Sequence, residues 1–198
     1  MRAILLLSLL LLGACSTTSL IPLTYAPQGT VARAPDAQPI VDVGQVTVSR
    51  VTGREDPMWV GAIRGGYGNS VKVLHADLPI DQVVMRALRE GLRVRGLLVG
   101  DGMAPRRRLI VDIMQFDANQ YARREATVVL RVSLVDPGGQ QLWTDTVRVY
   151  RVNGSVLSFS TGVFASVEDL HALMAQVLGE AADQALDNPA FRAALRAS

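Results

Sequence analysis

The stretch that most constrains the fold is Asp136-Pro137-Gly138-Gly139, set between two strand-like runs at 127–135 and 142–152. Pro presets φ for a tight turn, and Gly tolerates the positive φ that such a turn needs. A further run at 109–116, apolar on both faces except at Asp112, lies upstream. The three runs are expected to form a meander.

Two helices are signalled around the meander. On a 100° wheel, residues 80–95 place Val83, Val94, Ala87, Ile80, Gly91, Val84, Leu88 and Leu92 on one face, with Arg86, Arg89, Arg93, Gln82 and Glu90 opposite. Asp77 is expected to cap this helix, Pro79 to sit in its first turn, and Gly96 to end it in a left-handed conformation. Ser166-x-x-Asp169 resembles a capping box with a shortened acid. The helix that follows aligns Leu170, Leu173, Met174, Val177, Leu178, Ala181 and Ala185. Asn188-Pro189 closes it and opens a short last helix with Phe191, Ala194 and Leu195. Upstream, 46–51 alternates as a first strand, 59–63 is a short apolar stretch, and 71–74 also reads as strand. The expected class is α/β (α+β): a two-layer sandwich, with a small, mostly antiparallel sheet and two amphipathic helices on one face.

The N-terminus sets the address. Met1-Arg2 precedes an almost unbroken apolar run at 3–12. Ten helical residues make about 15 Å, half of a ~30 Å hydrocarbon core, so the run suits a signal h-region rather than a span. Leu12-Gly13-Ala14-Cys15, which holds the only cysteine of the chain, resembles the lipobox of bacterial lipoproteins. That resemblance implies acylation of Cys15, cleavage before it and acylation of the new N-terminus. Ser16, where an Asp would favour the inner membrane, implies the outer membrane facing the periplasm. Several acyl chains at ~0.8 kcal/mol per buried CH₂ hold a protein stably. With Cys15 so used, no disulfide is available and the domain must be held by burial.

The expected organisation is a signal peptide at 1–14, a lipidated Cys15 with a Pro-rich tether over 15–40, and one globular domain over 41–198. A flexible tether of that length would hold the domain roughly 25–30 Å from the bilayer. Residues 20–25 could instead dock as an edge segment, where Pro is tolerated. The 20 Lys and Arg, less Arg2, give 19 cations against 18 acids in the mature chain. That near-balance gives weak support for nucleic-acid binding, and none is expected.

Few residues offer chemistry. The glycines at 65, 66 and 68 match neither a dinucleotide fingerprint nor a P-loop, so 64–69 is expected as a turn or bulge. His75 and His171 have no neighbouring ligand at metal spacing, and no metal site or cofactor is expected. Ser155, Ser158 and Ser160 lack a G-x-S-x-G setting, and no catalytic residue is assigned. Trp59, Trp143 and Tyr67 are expected to pack. Arg86, Arg89 and Arg93 recur at three- and four-residue spacing on one helix face, with only Glu90 on that side to offset them. They form a candidate face for anionic head groups or an acidic partner.

The chain further resembles the YajG-like family of bacterial lipoproteins. The segments that carry the likeness are "VTVSRVTGRED", "VGAIRGGYGNS", "VVMRALREGLRVRGLLVG", "RRRLIVDIMQFDAN" and the ending "DNPAFRAAL", over most of residues 20–195. The resemblance implies an outer-membrane-anchored, periplasm-facing domain and brings no catalytic residues. The expected function is a non-catalytic binding or scaffold module of the envelope, with the membrane and an envelope protein as partners. The alternative is an auxiliary lipoprotein of an envelope transport assembly for lipid or polymer. The oligomeric state is not specified by the sequence.

Overall fold

Among the described residues the alternating apolar runs form seven strands: β1 (Thr17–Ile21), β2 (Val41–Val48), β3 (Trp59–Arg64), β4 (Ser70–Ala76), β5 (Arg107–Gln120), β6 (Arg124–Val135) and β7 (Gln141–Asn153). The helices among these residues are α1 (Ile80–Val94), α2 (Val167–Leu186) and α3 (Pro189–Arg196). The computed structural model describes residues 17–31, 38–65, 67–153 and 166–196.

All seven strands join one open sheet in the order β1-β4-β3-β5-β6-β7, with β2 also on β5. β5 serves two partners along the same edge. β2 runs parallel to its first half, from Val41↔Arg107 to Val48↔Ile113, and β3 runs parallel to its end, from Gly61↔Ala118 to Ile63↔Gln120. β1 and β4 are also parallel, whereas β3–β4 and the β5–β6–β7 meander are antiparallel. The expected two-layer α+β sandwich is the observed class, with a sheet more mixed than the sequence suggested. Parallel pairs join segments remote in sequence, and no hairpin signal announces them.

The meander turn closes as expected. The Gly139 N–H donates to the Asp136 carbonyl over 3.0 Å, and Gly139 sits at φ 86°. α1 buries Ile80, Val83, Val84, Ala87, Leu88, Gly91 and Leu92. Its C-terminus is a Schellman motif: the N–H of Gly96 donates to Arg93 and that of Leu97 to Leu92, with Gly96 at φ 70°. Its N-terminus differs from expectation. Pro79 is the cap residue, no side chain caps it, and the Pro57 carbonyl accepts the Ile80 N–H. Asp77 instead binds Arg86. In α2, the Ser166 hydroxyl accepts the Asp169 N–H at 3.2 Å, while Asp169 reaches out to Arg124 at 2.8 Å rather than back to the cap. The apolar face of α2 is buried throughout, from Leu170 to Ala185.

The first half of the chain departs most from expectation. β2 begins at Val41 rather than Val46, because Val41 and Val43 are buried ahead of a bulge at Gly44. It stops before 51 because Arg50 turns inward. Of the span 15–40 expected as a tether, the described residues 17–31 do not stand off. β1 pairs with β4, Leu23 is fully buried, and residues 22–28 cross the helical layer as a strap. The Ala26 carbonyl lies only 2.6 Å from where a Cβ on Gly179 would stand, so the crossing needs glycine in α2.

Candidate functional site

The candidate site is a groove of about 770 Å³ between α1 and the strap. Leu78, Met85 and Leu98 supply apolar wall, Thr24 and Tyr25 come from the strap, and Arg86 and Arg89 stand on the rim with Gln82 and Glu90. The site exists because one flank of the amphipathic α1 is left uncovered where the strap turns toward α2.

The three arginines expected to offer a shared cationic face are each paired. Arg86 donates to both Asp77 oxygens, at 3.1 Å each, and to the Leu23 carbonyl at 3.0 Å. Arg89 meets Asp42 at 3.4 Å, and Arg93 binds Glu90 at 2.7 Å through Nε. Burial raises the Asp77 carboxyl, but the Arg86 bonds outweigh it and hold the group below its usual range. The hydrogen bond from Arg93 likewise holds Glu90 down. Asp77 and Asp42 lie on neighbouring elements, so a wheel of α1 alone shows only Glu90. The sequence brings Arg86 and Arg89 together on the groove rim, while Arg93 points to solvent beside Glu90.

A second cluster closes the strap over the helices. Arg95 is buried at the end of α1 and donates to Asp187 (2.6 and 3.0 Å), Asp183 (2.8 Å), the Tyr25 hydroxyl (3.1 Å) and the Gly91 carbonyl (3.0 Å). Tyr25 in turn donates to Asp183 at 2.7 Å, and the Gln28 N–H donates to the other Asp183 oxygen at 2.9 Å. Burial, then the Asp183 bond, push the Tyr25 hydroxyl up to about 12. Burial raises Asp187, but Arg95 and Arg192 together hold it below the usual carboxylate range. Arg95, not among the residues expected from the sequence, falls on the face of Leu88, Gly91 and Leu92, where a cation signals buried acids.

A third cluster fills the gap on β5 between the end of β2 and the start of β3. The buried Arg50 guanidinium donates to the carbonyls of Trp59, Phe116, Gly53 and Asp56 at 2.8–3.1 Å and lies 5.6 Å over the Trp59 ring. Gly53, at φ 69°, has no room for a Cβ against that ring. Asp56 accepts the Met58 N–H and sits 2.6 Å from His75 Nε2. Burial raises the Asp56 carboxyl, and the His75 and Met58 bonds bring it below its usual range. His75 thus has an acidic neighbour in space that sequence spacing does not show, because the loop brings in Asp56 from 19 residues away. Its buried Nδ1 meets no hydrogen-bonding partner, so among the described residues no nucleophile completes a triad.

Cys15, Gly66, Ser155, Ser158 and Ser160 lie outside the described residues. His171 bonds the Pro22 carbonyl at 2.8 Å and fastens the strap. Among the described residues no group of three potential metal ligands occurs, and no helix is long and apolar enough to cross a membrane. The Gly65 N–H donates to the Asn69 carbonyl at 2.8 Å and the Gly68 N–H to the Gly65 carbonyl at 2.9 Å, with Gly68 at φ 81°. Trp143 packs on Phe191 at 5.4 Å, whereas Tyr67, expected to pack, is fully exposed.

Fold and clusters together define an α+β domain built on an open mixed sheet, with a helical layer locked by buried arginines. No family model and no curated protein matches the chain. Among solved structures it is similar to protein XCC0632 from Xanthomonas campestris, described under the family DUF330. The TM-score is 0.56 at 14% identity, over 86% of this chain and 92% of that one. A second, titled an uncharacterized protein, gives 0.54 at 12% identity, over 87% of this chain and 97% of that one. A minor lipoprotein from Acinetobacter baumannii follows with a TM-score of 0.40 at 8% identity, over 75% of this chain and 94% of that one. Likeness at that last level carries no argument. The fold is therefore shared, and the YajG-like family is not singled out.

Proposed function

We propose that the chain is a lipid-anchored, non-catalytic module of a bacterial envelope, facing the periplasm from the outer membrane and binding another envelope component. The observation that carries this reading is Leu12-Gly13-Ala14-Cys15, a lipobox placed two residues before the first strand at Thr17. Ser16 supports the outer membrane. The groove beside α1 supports a binding role: its apolar wall and arginine rim suit a partner that offers an apolar group beside an acidic one. The three clusters support a framework role for the remaining buried charge, since each holds segments together.

Cys15→Ala tests the anchor. It should leave an uncleaved or soluble chain without the lipid-sized mass increment. A variant that stays membrane-bound, processed and heavier by acyl chains would sink the reading. A second reading, an auxiliary lipoprotein of a transport assembly moving lipid or polymer, is favoured by the same groove, whose wall would suit an acyl chain. A photo-crosslinker at Gln82 on the groove rim separates the two by what it captures: a permease component, or a partner outside any transport assembly.

A further inference from the structure

Resting on the anchored reading above, we propose that the β1-entry end of the sheet is seated against the bilayer, with the β3–β4 and β5–β6 turns in the headgroup layer. The strand registers define this end. β1 starts at Thr17 beside Lys72 of β4, β3 ends there at Arg64, and β5 ends at Gln120 beside Ile63. β6 starts at Arg124, which pairs with both Gln120 and Asn153, the last residue of β7. Cys15 is two residues from Thr17, and two residues reach at most about 7 Å. The polar layer on one side of a bilayer is itself about 5–8 Å thick. A lipid on Cys15 therefore leaves this end no room to stand away from the surface.

The rim has the composition that such a position requires. Tyr67 is fully exposed at the tip of the β3–β4 turn, Tyr121 is 54% exposed in the β5–β6 turn, and Val71 is exposed beside Lys72. Tyrosine presents an apolar ring and a polar tip, which suits the membrane–water interface. The charges nearly offset one another. Arg123 pairs with Glu125 and Arg124 with Asp169, and Glu168 lies within electrostatic reach of Lys72. The anchor and the tyrosines, rather than net charge, hold the rim down, so the seating should survive high salt. The opposite end carries the 100–106 loop. Fourteen residues of β5 at about 3.3 Å each separate the two ends by roughly 45 Å.

The acylated full chain, with Tyr67→Cys, Tyr121→Cys or Met103→Cys as its only free thiol, is labelled with a fluorophore. It is then reconstituted into vesicles of phosphatidylethanolamine and phosphatidylglycerol bearing headgroup nitroxides. All three positions are exposed, so none should disturb folding. Labels at 67 and 121 should be quenched strongly and the label at 103 hardly at all, at low and at high salt. Acylated chains in which 67 and 121 are quenched no more than 103 would overturn the seating while leaving the anchor intact. Chains whose mass shows no acyl group on Cys15 would overturn both.

Discussion

Arg95→Met asks whether charge or packing pins the helical layer. The guanidinium is 2% exposed and makes five donor contacts, to Asp187, Asp183, Tyr25 and Gly91. Met retains much of the apolar stem and removes every contact. Asp183, 16% exposed, is left without a cation, while Asp187 is 42% exposed and keeps Arg192. Removing one member of a buried pair costs about 3–5 kcal/mol, and the exposure of Asp187 favours the lower end, near 3. That is a large share of the ~5–15 kcal/mol by which a domain is stable. The effect must depend on pH. Asp187 is held below the ordinary carboxylate value, so its contribution is present above about 4 and fades as pH falls through the depressed folded value. Urea unfolding followed by circular dichroism, in a Cys15→Ser background, should show a loss near 3 kcal/mol at neutral pH that shrinks toward pH 3. A loss under 1 kcal/mol at neutral pH, or an equal loss at both pH values, would refute the reasoning.

Other expectations follow from single contacts. Gly61→Ala would place a Cβ 1.6 Å from the backbone oxygen of Ala118, so β3 must part from β5; the melting temperature should fall steeply or the chain should not fold. Leu88→Ala, at the fully buried centre of α1, should cost about 2–5 kcal/mol in denaturant unfolding. Arg89→Ala, at the groove rim, should cost no more than about 1 kcal/mol, and equal losses for the two would mean that α1 is packed by another face. Tyr25→Phe should remove a tyrosine step near pH 12 from an absorbance titration, and should lower stability by about 1 kcal/mol.

The elements legible in the sequence were those with sustained periodicity. The α1 and α2 faces, the Gly96 stop and the Asp136–Gly139 turn could be read because local chemistry decides them. The start of β2 could not, because Gly44 breaks the alternation and an inward Arg50 ends it. The parallel pairs β1–β4 and β2–β5 join residues 55 and 65–66 positions apart, which leaves no local mark. The arginine face looked uncompensated for the same reason: Asp42 and Asp77 come from outside α1. Arg50 and Arg95 were visible as cations in apolar registers, and that irregularity was the missed signal for both buried clusters.

The strap also times the chain's own completion. Tyr25 finds Asp183 across 158 residues, and Pro22 is held by His171. These contacts cannot form until α2 exists, and closing so long a loop comes late among folding events. The strap that follows β1 is thus the last part of this segment to be fastened. β1 has its partner as soon as residues 72–76 are made, so the two halves of residues 17–28 are secured at different times.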